Sequence, residues 1–297
     1  MIKARPFWKT LLIWLGGLLG LLVSFALFMI WYWGIWNAIV PSDSNDTEPP
    51  IVPVGLQRPA VLVFSKTNGF RHVDGIADAN RFFEALAKRR GWGLYQTENG
   101  AVFTSELLAR FDAVVFNSST GDMLSRAQET AFEQWLEGGG GWLGIHAAGD
   151  GSQKDWEWYQ DNLIGAKFTA HIVGPGFQAA TINVDDSAHP AMGRLPARWS
   201  HKEEWYSWAS SPRTKNFRIL ATVDESTYSP ESHFLGTFTD LRMGDHPIVW
   251  SNCVGQGRSL YSAMGHKGEV FDEAEIQTLM EDALSWVLGL SGELCGE

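Results

Sequence analysis

Cysteine is nearly missing from this chain: Cys253 and Cys295 are the only two in 297 residues. No Cys-x-x-Cys pair and no Cys/His finger spacing exists, which excludes a structural zinc finger and a disulfide-built scaffold. One disulfide is open to the pair in an oxidising compartment. The late position of Cys295, in an expected loose tail over residues 291–297, argues against meeting the strict geometry such a bond needs. Basic clusters are missing as well. The 23 Lys and Arg face 34 Asp and Glu, for a net charge of −11. Lys3, Arg5 and Lys9 balance Asp43, Asp46 and Glu48 in the first 50 residues, so residues 51–297 carry the whole excess. A body that acidic does not suit nucleic acid, whose binding needs clustered Lys and Arg. No internal repeat is present, which excludes a solenoid or propeller.

Charge of either sign is missing from Thr10 to Val40, a run of 31 positions. A helix needs about 20 apolar residues to cross the hydrocarbon core, and Leu11 to Ile35 supplies them. Trp8 and Trp14 stand at one end, and Trp31, Tyr32, Trp33 and Trp36 at the other, as expected of aromatic belts at two interfaces. A cleaved signal peptide has a shorter apolar core and a small-residue cleavage site, so the segment 10–40 reads as a retained signal-anchor. Lys3, Arg5 and Lys9 keep residues 1–9 cytoplasmic by the positive-inside rule. The rest then lies outside the inner membrane, in a periplasmic or otherwise extracytoplasmic space. Residues 41–59 hold five of the 12 prolines and read as a polar linker acting as a spacer.

From 60 to 290 short apolar runs alternate with helical patterns. Ala60–Phe64, Ala113–Phe116 and Gly141–Ile145 read as buried strands. Between them lie two helices, one with Ile76, Ala79, Phe82, Phe83 and Leu86 on a face and Gly91 as its stop, the other opening on a capping box at Ser125. This rhythm predicts an α/β fold with a mainly parallel sheet flanked by helices. It breaks over residues 151–240, an expected antiparallel β-rich insertion. A hairpin, Ile248–Val254 and Ser259–Ala263, and a helix from Asp272 to Leu288 close the domain.

In open parallel sheets ligands bind beyond the carboxyl ends of the strands. Those ends carry Arg71 and His72, Asn117, His146 to Asp150, and His266, so His72, Asn117, His146 and His266 aim at one crevice. Facing histidines suit acid–base chemistry near neutral pH or metal ligation. A divalent metal such as zinc would take His72, His146 and His266, with Glu203, Glu204 or Asp150 as further ligands. Asp150 and Glu204 are also a candidate carboxylate pair for glycoside chemistry. Trp156, Trp158, Trp199, Trp205 and Trp208 with Tyr159 and Tyr206 offer either flat faces for sugar rings or a small aromatic core. His171, His189, His201 and His233 read as loop-structuring.

Gly69-Phe70-Arg71-His72, Gly144-Ile145-His146-Ala147-Ala148-Gly149-Asp150, Glu203-Glu204-Trp205-Tyr206, His246-Pro247-Ile248-Val249-Trp250 and Gly255-Gln256-Gly257-Arg258 to Gly265-His266 together resemble the motif series of the ThuA-like (trehalose-utilisation) family. The resemblance implies a class I glutamine amidotransferase-like, flavodoxin-like fold and a link to carbohydrate metabolism, through disaccharides carrying a 3-keto group. The amidotransferase nucleophile would stand at the strand-to-helix elbow, which His146 occupies, so no thioester route exists and the chain is not expected to be a glutaminase. Two readings follow. In one the protein is a sugar-active enzyme with His146, His266, Glu204 and Asp150 as catalytic groups and Arg71, His72, Asn117, Trp205 and Tyr206 binding substrate. In the other it is a non-catalytic carbohydrate-binding module that serves a partner enzyme such as a sugar oxidoreductase.

Overall fold

The computed structural model describes residues 7–153, 155–234, 236–293 and 295. Helix α1 (Phe7–Tyr32) is 26 residues long with no buried residue, about 39 Å at 1.5 Å per residue. It is the one described helix long and apolar enough to cross a membrane. Of the three expected N-terminal cations, Lys3 and Arg5 lie outside the described residues.

The domain then runs β1 (Ala60–Phe64), α2 (Val73–Arg90), β2 (Gly93–Thr97), β3 (Ala113–Asn117), α3 (Arg126–Glu137) and β4 (Gly141–Ile145). The insertion supplies β5 (Phe168–His171), β6 (Gln178–Val184), β7 (Arg198–Glu203), β8 (Tyr206–Trp208), β9 (Arg218–Asp224), β10 (Glu231–Phe234) and β11 (Thr237–Asp240). The hairpin of β12 (Pro247–Val254) and β13 (Gly257–Ser262) leads to α4 (Ala274–Val287). β1, β3 and β4 are buried at every position, as the apolar runs Ala60–Phe64, Ala113–Phe116 and Gly141–Ile145 require. α2 stops at Gly91 in the left-handed region, φ 71°, where glycine meets no steric penalty. β2 was not expected from the sequence: at the sheet edge it needs only one buried face, and Gly93-Leu-Tyr-Gln-Thr97 carries no strong alternation.

One nine-stranded sheet has the order β2-β1-β3-β4-β13-β12-β9-β6-β7. β2, β1, β3, β4 and β13 are parallel, and every pairing from β13 to β7 is antiparallel. The insertion is therefore an extension of the main sheet, with two small ribbons, β5–β8 and β10–β11, beside it. The alternation also turns β7 to run with β13, so its end lies at the same edge as those of β1 and β4. Five strand spacings from β4 to β7 would cover about 24 Å in a flat sheet. Glu204, just after β7, nevertheless lies 3.7 Å from His146, just after β4. The sheet must coil back over itself, and the bulges where β12 meets β9 supply local twist for this.

Two expectations need correction. Residues 41–59 form a strap along the domain instead of a free spacer. Ser42 N donates to Asn68 O (2.9 Å), Lys66 Nζ donates to Ser44 O (2.9 Å) and to Asp46 (2.6 Å), and Gln128 Nε2 donates to Asp46 O (2.7 Å). Pairing with the loops' own polar groups is what a proline-rich, polar segment does when it cannot enter a core. The tail is not loose at Cys295 either, which is bonded to Cys253 across 42 residues of sequence.

Candidate functional site

Each of the parallel strands β1, β4 and β13 delivers one histidine to the same edge. His72 follows the loop after β1 and immediately precedes α2. His146 follows β4 directly and adopts φ 47°, a left-handed conformation that costs a side-chain-bearing residue energy and gathers at functional sites. It is the strained elbow that the sequence placed there. His266 follows β13 through Gly265, whose φ is 127°; a Cβ at Gly265 would lie 2.7 Å from Ile145 Cγ2.

His146 is fully buried and held at both ends. Its Nδ1 donates to Ala263 O (2.8 Å), and its own carbonyl accepts the Tyr261 hydroxyl (2.6 Å). A carbonyl can only accept, so Nδ1 carries the proton and Nε2 presents a lone pair to the centre. Around Nε2 stand His72 Nε2 at 3.2 Å, His266 Nδ1 at 3.1 Å, the Tyr206 hydroxyl at 3.1 Å and Glu204 Oε2 at 3.7 Å. Burial, then the neighbouring histidines, hold His72 and His146 well below the usual histidine range, so both are neutral at pH 7.

The donor atoms of His72, His146, His266 and Glu204 all lie within 4.8 Å of one another. Tetrahedral zinc ligands at about 2.0–2.1 Å from the ion stand about 3.3 Å apart, so three imidazoles and a carboxyl group at these spacings fit a divalent cation. Supporting groups surround the donors. Glu204 Oε2 lies 3.0 Å from His266 Nδ1, and its Oε1 lies 3.1 Å from His171 Nδ1. Glu203 accepts from Gly265 N (2.7 Å) and Glu204 N (2.8 Å), fixing the backbone on both sides of the cluster. His201 lies between Glu203 (3.6 Å) and Glu273 (2.8 Å). His246 Nε2 donates to Tyr206 O (2.7 Å).

His72, His146, His266, Glu204 and Tyr206 thus meet. The remaining expected site residues lie elsewhere. Arg71 stands at the rim of the adjoining cavity, paired with Glu98 at 2.6 Å. Asp150 is tied to Ser152 N (2.8 Å), outside the donor cluster, and burial raises it to about 6. Asn117 fastens β3 to α2 through Ile76 O (3.0 Å) and Asn80 Oδ1 (2.9 Å). Trp205 is buried and donates to Gln178 O (2.9 Å). Trp156, Trp199 and Trp208 are buried too, Trp156 against Phe132 and Trp208 against Trp250, so they form the aromatic core beneath the insertion and offer no sugar platform. His171 was expected to structure a loop and instead holds Glu204. Only the β5–β8 pairing, a long-range contact, places it there.

Both cysteines are spent on the disulfide, and the elbow belongs to His146, so no thiolate nucleophile exists among the described residues.

A family model described as ThuA, trehalose utilisation, matches residues 60–287. Among solved structures, a ThuA-like protein of Bacteroides uniformis is 29% identical with a TM-score of 0.67, covering 81% of this chain and 95% of its own. A second, from Parabacteroides merdae, is 16% identical with a TM-score of 0.58, covering 81% and 93%; at that identity it shows the fold alone. No curated protein matches the chain.

Proposed function

The chain belongs to the ThuA family, and from that premise we propose that it is a membrane-anchored, extracytoplasmic enzyme of carbohydrate metabolism acting on 3-keto glycosides through a divalent metal. The observation that carries this reading is the convergence of three imidazoles and Glu204, with the His146 tautomer set by Ala263 O. His72, His146 and His266 would hold the ion, as three protein ligands do in catalytic zinc sites that keep a position open. When bound, such an ion supplies Lewis-acid polarisation of a carbonyl oxygen, which a keto sugar presents and an ordinary sugar ring does not. Glu204, paired with His171, would take a proton beside that carbonyl, and the Tyr206 hydroxyl, which contacts His146, would donate one. The binding-module reading drew on the missing elbow nucleophile and on the Trp-rich insertion, of whose tryptophans Trp156, Trp199, Trp205 and Trp208 are buried.

α1 supports the anchor, and the disulfide supports an oxidising compartment, because such bonds are rare in the cytosol. The test is elemental analysis and zinc titration of the purified protein beside a turnover screen on glycosides and their 3-keto forms. About one tightly held metal per chain and turnover restricted to keto forms are expected. Failure of any divalent cation to bind, or turnover that survives its removal, would overturn the metal-dependent reading.

A further inference from the structure

The chain leaving α1 does not swing clear of the site but is seated on the loop that carries His72. Arg71 N donates to Gly34 O (3.2 Å), and Asn37 Nδ2 donates to Thr67 O (3.0 Å). Gly34 has φ 71°, and a Cβ there would collide with Arg71 O, so glycine is what permits this approach. Between the end of α1 and the histidines lies a cavity of about 690 Å³, within the range of about 300–1,000 Å³ that small-molecule sites occupy. Tyr32, Trp33, Phe70, Val73 and Phe177 line it, and His72 and His266 share its wall. Val73 and Trp33 remain 43% and 57% exposed, apolar surface without a partner. The cations on its wall are engaged: Arg71 with Glu98, and Lys267 over the Phe177 ring at 4.3 Å.

Tyr and Trp at the end of a membrane span sit at headgroup depth. Tyr32 and Trp33 belong both to the aromatic end of α1 and to the cavity wall, so with α1 in a bilayer the cavity mouth would lie level with lipid headgroups and its apolar wall would continue the span. We propose that this cavity receives the apolar tail of an amphiphilic glycoside carried in the membrane, whose sugar then reaches His72, His146 and His266. The inference rests on the glycoside and anchor readings above and narrows them: the substrate arrives along the bilayer and not from bulk water.

The test uses the full chain in phosphatidylcholine nanodiscs with zinc present, with empty discs as blank. Half-saturating concentrations are compared for methyl and n-octyl 3-keto-β-glucoside and for 1-octanol, by turnover or equilibrium dialysis. The octyl glucoside is expected to saturate at a concentration at least tenfold lower than the methyl one. Trp33→Ala and Val73→Asp, both at exposed positions, should erase that preference. Equal values for the two glucosides, or a preference untouched by both variants, would overturn the inference and leave the glycoside reading standing. Octanol binding as well as octyl glucoside while methyl glucoside fails, or no glucoside binding at all, would overturn both.

Discussion

His146 combines burial, a left-handed backbone and a carbonyl-fixed tautomer, three conditions that folding alone does not require of one residue. His146→Ala removes a central donor and leaves Ala263 O unpaired, at a cost of about 1–3 kcal/mol. Zinc titration of the variant should show at least a hundredfold weaker binding, with an intact far-ultraviolet spectrum in chelator; unchanged affinity would remove His146 from the ligand set. A second residue-scale effect lies outside the cluster. His189, buried against Trp286, is held down at about 4, first by burial and then by Arg218. Unfolded, it titrates near 6.5, so between these values the unfolded chain binds a proton that the folded one refuses. Stability is intact above pH 6.5 and lost as pH falls through that window. Asp150 has the opposite sign. Burial raises it to about 6, so its stabilising protonated form is present at low pH and lost as pH rises from about 4 through 6. Thermal unfolding in chelator should find His189→Gln flatter than the parent between pH 6.5 and 4, and Asp150→Asn more stable than the parent at pH 7.

At the scale of elements, α2 is the helix that sets the position of His266. Gly75 in its first turns comes so close that a Cβ would lie 2.5 Å from His266 O and 2.7 Å from Gly265 O. An isolated helix would gain about 1 kcal/mol from Gly→Ala, but here the methyl must displace the backbone of Gly265 and His266. Gly75→Ala should therefore weaken zinc binding at least tenfold and lower the melting temperature. Ser125→Ala is the comparison. It strikes the capping box of α3, costs about 1 kcal/mol, and should leave zinc affinity unchanged. Equal zinc affinity in the two variants would refute the role given to α2.

Across the whole molecule, the strap ties the apolar helix α1 to the loops that border the site. The strap keeps α1 from acting as a flexible tether, because its hydrogen bonds fall on the loops around Lys66 and Asn68. If the domain is extracytoplasmic, thiol blocking of intact membranes followed by non-reducing mass spectrometry should recover Cys253 and Cys295 joined and unlabelled. Protease added to spheroplasts should degrade residues 60–290 without lysis. Free, labelled thiols together with a protected domain would put it on the cytoplasmic side.

The local pattern of the sequence determined the apolar span, the buried strands β1, β3 and β4, the stop of α2 at Gly91 and the hairpin of β12 and β13. Each of these depends on periodicity or turn chemistry within a few residues. It also placed His72, His146 and His266 at strand ends, because parallel topology sends every such end to one edge. Only the tertiary structure decided the rest. Coiling of the sheet brought Glu204 from β7 onto His146, and the β5–β8 ribbon set His171 behind it. Side-chain direction turned Asn117 toward α2 and Trp156, Trp199, Trp205 and Trp208 inward. The disulfide and the seating of Gly34 on Arg71 likewise join residues far apart in the chain, and such pairings come from packing and chain path, which no local pattern encodes.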